Sequence, residues 1–397
     1  MTSLSSRKNP QKIVVTTSLI SIIILGTIIA VEINYKKALL FLIGAGLGIT
    51  LMHALFGFSG GWRNFIRDRN SQGIRAQILL IALTSILFFP ILAGLLPGST
   101  AVGAFGPVST SVFIGAFIFG IGMQLGGGCG SGTLFTVGQG QADMLLVLIF
   151  FIVGATLGAA HLGWWSNNLP GTSAISLIKT MGWVYALLSQ LLTLAVLYFL
   201  VRWMDRRRNP SGHATLDSRG FTRVLQGPWP LWWAVILLAI LNLLTLLIAN
   251  HPWSITFAFG LWASKIYAAV GGDPASWSYW SDVPARSFAL KHTVLADTTS
   301  IMNFGIILGA ILAAALAGKY APENRYHWKR IITAIIGGLL LGYGARLAYG
   351  CNIGALLGGV ASGSVHGWLW LVAAFTGGIA GVKLRVWFGL DKPVTNS

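Results

Sequence analysis

The chain has 397 residues, of which 55% are hydrophobic and only 9% are charged. Soluble globular domains carry about 25% charged residues, so this composition excludes that class and predicts an all-α polytopic membrane protein in a lipid bilayer. The net charge is +17, but the basic residues stand in short clusters between apolar runs, which indicates membrane topology and no nucleic-acid partner.

Six apolar segments of the first half predict membrane spans, at 13–31, 38–58, 76–96, 110–140, 144–162 and 183–204. The segment at 110–140 is interrupted by glycines. A loop after the second span carries a basic cluster, Arg63, Arg67, Arg69 and Arg75. Because positively charged loops face the cytoplasm, we place this loop and the N-terminus on that side. The sequence divides into a tail and first helix at 1–36, a first repeat half at 37–205 and a basic cytoplasmic linker at 206–228.

The second repeat half, at 229–397, predicts spans at 229–249, 296–316 and 368–382, and a second glycine-interrupted helix that begins at Ile331. The segment at 254–270 is harder to place. If it crosses fully, the basic cluster of Lys319, Arg325, Lys329 and Arg330 lies outside, against the positive-inside rule. We therefore favour a re-entrant segment or half-span there.

One short stretch occurs twice, and it contains the two cysteines of the chain, Cys129 and Cys351. Their offset, 351 − 129 = 222, also pairs a series of glycines: Gly115 with Gly337, Gly120 with Gly342, Gly122 with Gly344, Gly128 with Gly350, and Gly132 with Gly354. Duplicated helices that break beside matching residues are typical of transport proteins with two inverted repeats. We expect the two breaks to meet near the membrane centre.

The break follows from helix length. The apolar part of the first interrupted helix covers about 20 Å, whereas a hydrocarbon core is about 30 Å thick. A short second helix at about 129–137 would complete the crossing. Because unwound backbone at membrane depth is tolerated only inside protein or beside water, the stretch 126–132 should line a pathway.

Each break exposes the N-terminus of a half-helix, at Gly128-Cys129-Gly130-Ser131 and at Gly350-Cys351-Asn352-Ile353. Free N–H groups and the helix dipole favour an anion there. Tight helix packing is the alternative explanation for the glycines. A neutral thiol is a soft, weak hydrogen-bonding group that suits a sulfur or selenium atom. The wide cysteine spacing indicates neither a disulfide framework nor a metal site, and we expect no cofactor.

Three further polar groups are candidates for the pathway. Arg346 lies deep in the second interrupted helix, where its repeat counterpart is the neutral Gln124; a structural or snorkelling arginine is the alternative. A weaker duplication with an offset of 212 pairs His53 with Lys265 at the entrances of a positive funnel. Hydrogen bonding between helices would explain both equally well.

The paired Gly-Cys motifs resemble the YeeE/YedE family of membrane sulfur transporters, over about residues 38–389. The resemblance implies uptake of thiosulfate or a related compound through an hourglass-shaped protein of the bacterial inner membrane, with Cys129 and Cys351 at its centre. Some members carry a further cysteine after a Phe in the second span. Here Gly57-Phe58-Ser59-Gly60 has Ser59, which leaves room for a different substrate, such as a selenium compound.

The leading hypothesis is therefore a transporter or channel, not an enzyme, for a small sulfur-containing anion. A membrane thiol-disulfide oxidoreductase that uses Cys129 and Cys351 is the alternative, although redox pairs usually lie close in sequence. A scaffold with tight glycine packing is a third. The sequence leaves open whether a cytoplasmic sulfur-carrier protein docks on the basic loops.

Overall fold

The computed structural model describes residues 9–206, 221–322 and 327–392 and is 77% helical. Most of the predicted linker at 206–228, and Arg325, lie outside these residues. The helices are α1 Lys12–Glu32, α2 Tyr35–Ala54, α3 Phe58–Asp68, α4 Gln72–Leu92, α5 Thr110–Leu125, α6 Gly130–Gly138, α7 Ala142–Asn168, α8 Leu177–Met181, α9 Trp183–Arg206, α10 Phe221–Gln226, α11 Leu231–Ala249, α12 Thr256–Ala269, α13 Ser278–Ser281, α14 Pro284–Lys291, α15 Thr298–Leu316, α16 Trp328–Leu347, α17 Gly359–Ala361 and α18 Val365–Trp387.

Short elements complete the fold. Strands β1 Pro107–Ser109 and β2 Gly171–Ala174 pair antiparallel. Two 3₁₀ turns, Pro274–Ser276 and Val294–Ala296, flank α13 and α14, and a π-helical segment, Asn352–Gly358, precedes α17.

Ten helical segments of the described chain are long and apolar enough to cross a membrane. One of them combines α2 with α3, another α5 with α6, and a third runs from α16 to α17. Each contains one of the predicted spans or interrupted helices, so the prediction of a polytopic helical membrane protein is confirmed. Helix α12 is not among the ten; its 14 residues cover about 21 Å, a length that fits the predicted half-span.

The prediction of a loop directly after the second span is wrong. Residues 58–68 form α3, in which Phe58, Trp62 and Phe65 are buried. These residues recur at helical spacing, so one face of α3 is apolar. Arg63 and Arg67 therefore project from a helix that packs against α4 and α18.

Helices of each half pack mainly against helices of the other half. Helix α5 packs along α18, and α16, its counterpart at the offset of 222, packs along α7. In the same way α2 packs on α15 and α11 on α4, while α3 contacts α18 and α12 contacts α7. Helices α1 and α9 occupy matching outer positions, against α15 and α4. In these contacts α9 of the first predicted half occupies the position that matches α1.

The contact pattern contradicts the weaker duplication at offset 212. The contacts make α11 the counterpart of α2, and α12 the counterpart of α3. His53 lies in the last turn of α2, whereas Lys265 lies in α12. The two side chains therefore do not occupy equivalent positions, because the offset joined six residues across two different helices.

Helices α2 and α15 touch through their backbones. A Cβ atom at Gly48 would overlap the backbone of Ile306, and one at Gly309 would overlap Ala45. Close approach of this kind is how small residues associate helices in membranes, where lipid removes the hydrophobic driving force.

We predict that Gly48→Ala lowers the melting temperature of the purified protein, because overpacking costs about 1–3 kcal/mol. The matched control is Gly46→Ala on the same helix, where a Cβ would meet only the Leu241 side chain at 3.5 Å. Thermal unfolding in detergent, followed by size-exclusion chromatography, compares the two variants. Equal melting temperatures would contradict the backbone contact.

Candidate functional site

The first break places Cys129 at the start of α6. Gly127 has φ +82°, a left-handed conformation that glycine adopts without strain. The Gly132 amide N–H donates to the Cys129 Sγ at 3.4 Å, and the Ser131 hydroxyl lies 3.4 Å from the same sulfur. The Thr133 hydroxyl donates to the Cys129 carbonyl at 2.8 Å. The thiol is thus fixed as the N-cap of a nine-residue helix.

At the second break a cysteine again precedes a helical segment, but this segment is a π-helix and not an α-helix. Cys351 precedes the π-helical segment, and its carbonyl accepts the Ala355 amide at 2.8 Å. The Gly350 carbonyl accepts the Trp370 Nε1–H at 3.2 Å. Asn352 is fully buried, and its side-chain nitrogen and oxygen both lack partners among the described residues. Unpaired buried amides are rare, so Asn352 can still bind a ligand.

The structure brings the two breaks together. A Cβ atom at Gly130 would lie 3.1 Å from the Cys351 Sγ, so this thiol lies directly against the first residue of α6. Gly128 is equally confined, since its Cβ would lie 3.0 Å from the Thr133 hydroxyl. Both cysteines are free and buried. The Gly130–Cys351 contact therefore places the first residue of α6 beside the second break.

A cavity of about 880 Å³ reaches the first break, and we call it the Arg63 cavity. Its wall includes Arg63, Arg75 and Arg223, and no acidic residue among those that the structure describes. At its inner end lie the backbone of 127–128 and Cys129.

A second cavity of about 460 Å³, the Lys37 cavity, is lined by Lys37, His251, Ser254, Arg286 and Asp297, among others. Ser254 connects it to the second break, because a Cβ at Gly354 would lie 3.6 Å from the Ser254 hydroxyl. Ala54 lines the Arg63 cavity and Lys37 lines the Lys37 cavity. These residues lie at opposite ends of the 20-residue α2, which is about 30 Å long. The two cavities therefore approach the cysteines from opposite ends of the helix bundle.

The Lys37 cavity is less cationic than the Arg63 cavity because it contains Asp297. Burial raises the pKa of this carboxyl group, while hydrogen bonds from Ser300 and the charge of Lys37 oppose the rise. The Lys37 ammonium donates to the Thr298 hydroxyl at 2.5 Å.

Ser59 and Gln124 connect α3 to the end of α5. The Ser59 hydroxyl donates to the Met123 carbonyl at 3.1 Å, and the Gln124 side-chain amide donates to the Ser59 carbonyl at 3.4 Å. Ser59 also lines the Arg63 cavity. The structure places Ser59 at the start of α3, within the membrane-length segment Tyr35–Asp68.

Arg346, Lys265 and His53 are not among the described lining residues of the cavities. Arg346 is 8% exposed and bonds to the Tyr279 hydroxyl and, at 3.1 Å, to the Thr256 carbonyl. Lys265 donates to the carbonyls of Leu290 and His292 at 2.6 and 2.5 Å. His53 packs on Trp229 with ring centroids 4.9 Å apart. Arg346 and Lys265 thus bond to other elements of the helix bundle, and His53 packs on the residue two positions before α11.

Sequence reasoning missed an ion cluster beside the first break. Arg385 donates to the Gln124 carbonyl at 2.7 Å and to Asp391 at 2.7 and 3.2 Å. Asp391 also pairs with Arg67 at 2.9 Å. Burial opposes ionisation of Asp391, but Arg385, Arg67 and Arg63 outweigh it and hold the pKa of the carboxyl below its usual value. The signal in the sequence was one acidic residue after the last span.

The membrane-length helices surround two charged cavities, one of which reaches the buried Cys129. This arrangement defines a multi-pass membrane protein of the transporter class. The family model described as sulphur transport matches residues 53–380. The chain therefore belongs to the sulphur-transport (YeeE/YedE) family, which confirms the resemblance of the Gly-Cys motifs.

Named relatives agree with this assignment. The chain is 26% identical to thiosulfate transporter TsuA of Escherichia coli K12 over 365 residues, which cover 88% of this chain and 94% of that protein. It is 24% identical to TsuA of Spirochaeta thermophila over 353 residues, 83% and 92% of the two chains. The probable transporter YedE of Salmonella typhimurium matches at 31% over 156 residues, 38% and 37% of the chains.

The cavities predict unequal thiol reactivity, because Cys129 lines the Arg63 cavity and Cys351 lines none of the described cavities. We expect methyl methanethiosulfonate to modify the Cys351→Ala variant, which keeps Cys129, several-fold faster than the Cys129→Ala variant. Intact-protein mass spectrometry over time measures both rates. Equal rates would show that the cavity does not give access to Cys129.

The ion cluster predicts a pH-dependent contribution to stability. The folded pKa of Asp391 is depressed, so its contribution is present above the unfolded value of about 3.9 and is lost as the pH falls through the folded value. Asp391→Asn should lower the melting temperature at pH 7, and the difference from the wild type should shrink below about pH 4. Asp273→Asn, at an exposed carboxylate, is the control. A difference that is the same at both pH values would contradict the ion pairing.

Proposed function

We propose that the protein imports a small sulfur-containing anion, thiosulfate or a related sulfur or selenium compound, through a constriction between Cys129 and Cys351. The observation that carries this proposal is the pair of cavities at opposite ends of α2: the Arg63 cavity reaches Cys129, and Ser254 of the Lys37 cavity adjoins Gly354 of the second break. The names of the TsuA relatives support thiosulfate as the substrate.

The chemistry of the constriction favours a soft anion. The Cys129 and Cys351 thiols offer weak S–H donors to a terminal sulfur, and the unpaired Asn352 amide offers a stronger donor to an oxygen. The thiols act in their neutral form, because a thiolate would repel the anion. Contacts that are favourable enough for entry and weak enough for release suffice for passage.

The glycines of the breaks also contribute to the proposed anion site. At Gly128, Gly130 and Gly350 a Cβ atom would lie 3.0 Å from Thr133, 3.1 Å from Cys351 and 2.7 Å from Ala355, so glycine lets the two breaks pack closely. We place the anion at the amide N–H groups of Ser131 and Asn352 beside this contact. Wider side chains at these positions would fill the space where the two breaks meet, as the contact of Gly130 with Cys351 illustrates.

The topology that we propose has ten spans and a cytoplasmic N-terminus. Spans one to five end with α7 and spans six to ten begin with α9, so each half has an odd number and the halves are inverted. The exchange packing of α5 and α16 supports this arrangement. Arg75, Lys319 and Arg385 then all lie at the cytoplasmic ends of helices, as the positive-inside rule requires.

With this orientation the Lys37 cavity faces outward and the Arg63 cavity faces the cytoplasm of a bacterium. Arg63, Arg75 and Arg223 would receive the anion after it passes the thiols. A cytoplasmic sulfur-carrier protein that docks on the basic loops could then accept the substrate at this opening.

Uptake of labelled thiosulfate into proteoliposomes tests the proposal. We expect uptake by the wild type, loss of at least tenfold in Cys129→Ala and Cys351→Ala, and little inhibition by sulfate. Arg346→Gln should lower the amount of folded protein more than the uptake per folded molecule, because Arg346 contacts Tyr279 and Thr256.

The alternatives give different results. A folded wild-type protein without uptake would overturn transport of thiosulfate. Uptake that survives both alanine changes would remove the cysteines from the mechanism and favour a scaffold role for the glycines. Thiol-disulfide exchange with a dithiol substrate, abolished by serine at either cysteine, would favour the oxidoreductase.

A further inference from the structure

The second half of the protein contains a segment that the first half lacks. Helices α3 and α4 are joined by three residues, 69–71, whereas the matching helices α12 and α15 are joined by 28 residues, 270–297. We call this longer connection the cap; it contains α13, α14 and the two 3₁₀ turns. The cap supplies one wall of the Lys37 cavity, through Ala285, Arg286, Phe288 and Ala289 of α14.

The cap is fixed to the helix bundle at several points. Lys265 of α12 donates to the carbonyls of Leu290 and His292 at the end of α14. The Trp280 indole N–H donates to the Ser264 hydroxyl at 3.2 Å, and Tyr279 bonds to the buried Arg346. Such ties remove the conformational freedom of a long connection, so α14 holds its side chains at defined positions over the cavity.

Arg286 is the cationic residue that the cap contributes to this cavity. Its Nη1 donates to the Tyr279 carbonyl at 3.2 Å, and its guanidinium carbon lies 4.4 Å from the centre of the Tyr279 ring. The guanidinium of Arg346 lies at the same distance from that ring. The tyrosine ring therefore favours the positive charge of Arg286 by a cation–π interaction and restricts its orientation.

A second cation lies on another wall of the same cavity. Lys37 of α2 donates to Thr298, next to Asp297, and both residues line the cavity with it. The Asp297 carboxylate is already engaged, since the Ser300 amide and hydroxyl donate to it at 2.7 and 2.6 Å. With Lys37, Arg286 and one acid, the lining has a formal charge of +1 at neutral pH, apart from His251.

The position of this cavity relates it to the pathway. Ser254 lies at its inner end and adjoins Gly354, three residues after Cys351. The next residue, Ile255, contacts the region of Gly130, because a Cβ there would lie 3.4 Å from the isoleucine side chain. An anion in the cavity is thus separated from the two breaks by about one layer of side chains.

We propose that Arg286 and Lys37 form an anion-binding site in which the cap holds the oxyanion end of the substrate before it reaches the cysteines. This inference rests on the proposed function and adds a stage to it. Arginine and lysine recognise charge and oxygen atoms and have no preference for sulfur. The first site therefore selects small oxyanions as a class, and the constriction selects among them by sulfur.

The test compares thiosulfate uptake by Arg286→Gln, Arg286→Lys and Lys291→Gln in proteoliposomes. Lys291 lies on the same helix, is exposed and is not among the lining residues of the cavity, so its variant makes the same change in charge outside the site. Loss of one charged hydrogen bond is worth roughly a tenfold change in affinity. We expect KM to rise about tenfold in Arg286→Gln, with the maximal rate within about twofold of the wild type, and to stay near the wild-type value in the other two variants.

The site also predicts how a purely oxygenic anion behaves. Sulfate should compete weakly with thiosulfate at the outer site of the wild type, without being transported, and this competition should weaken further in Arg286→Gln. If the Arg286 variants fold poorly, the KM of Lys37→Gln tests the same site from its opposite wall.

The outcomes separate the two proposals. An unchanged KM in both folded glutamine variants, Arg286→Gln and Lys37→Gln, would overturn the binding site and leave the transporter standing. A rise in KM that Lys291→Gln shares equally would also overturn it, because general surface charge would then be the cause. No uptake by the wild type would instead overturn the proposed function.

Discussion

The structure depends on how it satisfies backbone polar groups where two helices are interrupted. In the hydrocarbon region an unpaired N–H or C=O costs several kcal/mol, so an interruption there is stable only if protein groups replace the lost helical bonds. Arg385 provides one for the Gln124 carbonyl and Trp370 provides one for the Gly350 carbonyl. The Cys129 carbonyl keeps a helical bond from the Thr133 amide at 2.8 Å, and the Cys129 Sγ accepts the Gly132 amide at 3.4 Å, so the first break pairs backbone groups on both sides of the cysteine.

The two halves solve this problem with different residues. The first break is followed by an α-helix with the Cys129 thiol as its N-cap, and the second by a π-helical segment that begins after Cys351. A π-helix is wider than an α-helix and occurs mostly at functional sites. Gly130 in one copy corresponds to Asn352 in the other, so the proposed constriction has one side without a side chain, where Cys351 approaches, and one side with a carboxamide. An asymmetric substrate with a sulfur end and an oxygen end matches such an asymmetric site.

Hydropathy and the internal duplication predicted the spans and the breaks because both are local properties. About twenty apolar residues suffice to identify a span, and the offset between Cys129 and Cys351 located both breaks. Helix α3 was missed because Arg63 and Arg67 were used as a topology signal, although Phe58, Trp62 and Phe65 show a helical period. The partners of Arg346 and Arg385 could not be predicted, since Tyr279 and Gln124 are 67 and 261 residues away in the chain. Cavity walls depend on such distant contacts throughout.

The cap makes the two cavities of the protein unequal. Two equivalent halves would give the protein two equivalent openings that bind the anion equally well, and the electrochemical gradient would set the direction of net passage in either case. Here the Lys37 cavity, which α14 partly covers, has a volume of about 460 Å³, and the Arg63 cavity has a volume of about 880 Å³ and three arginines in its wall. A net charge near +1 binds an anion loosely enough for release toward the thiols, whereas the more cationic cavity concentrates anions on the far side. In the proposed pathway, selection by charge at the cap and by sulfur at the constriction act in series, and neither step needs to be strong by itself, because the discrimination of successive sites multiplies.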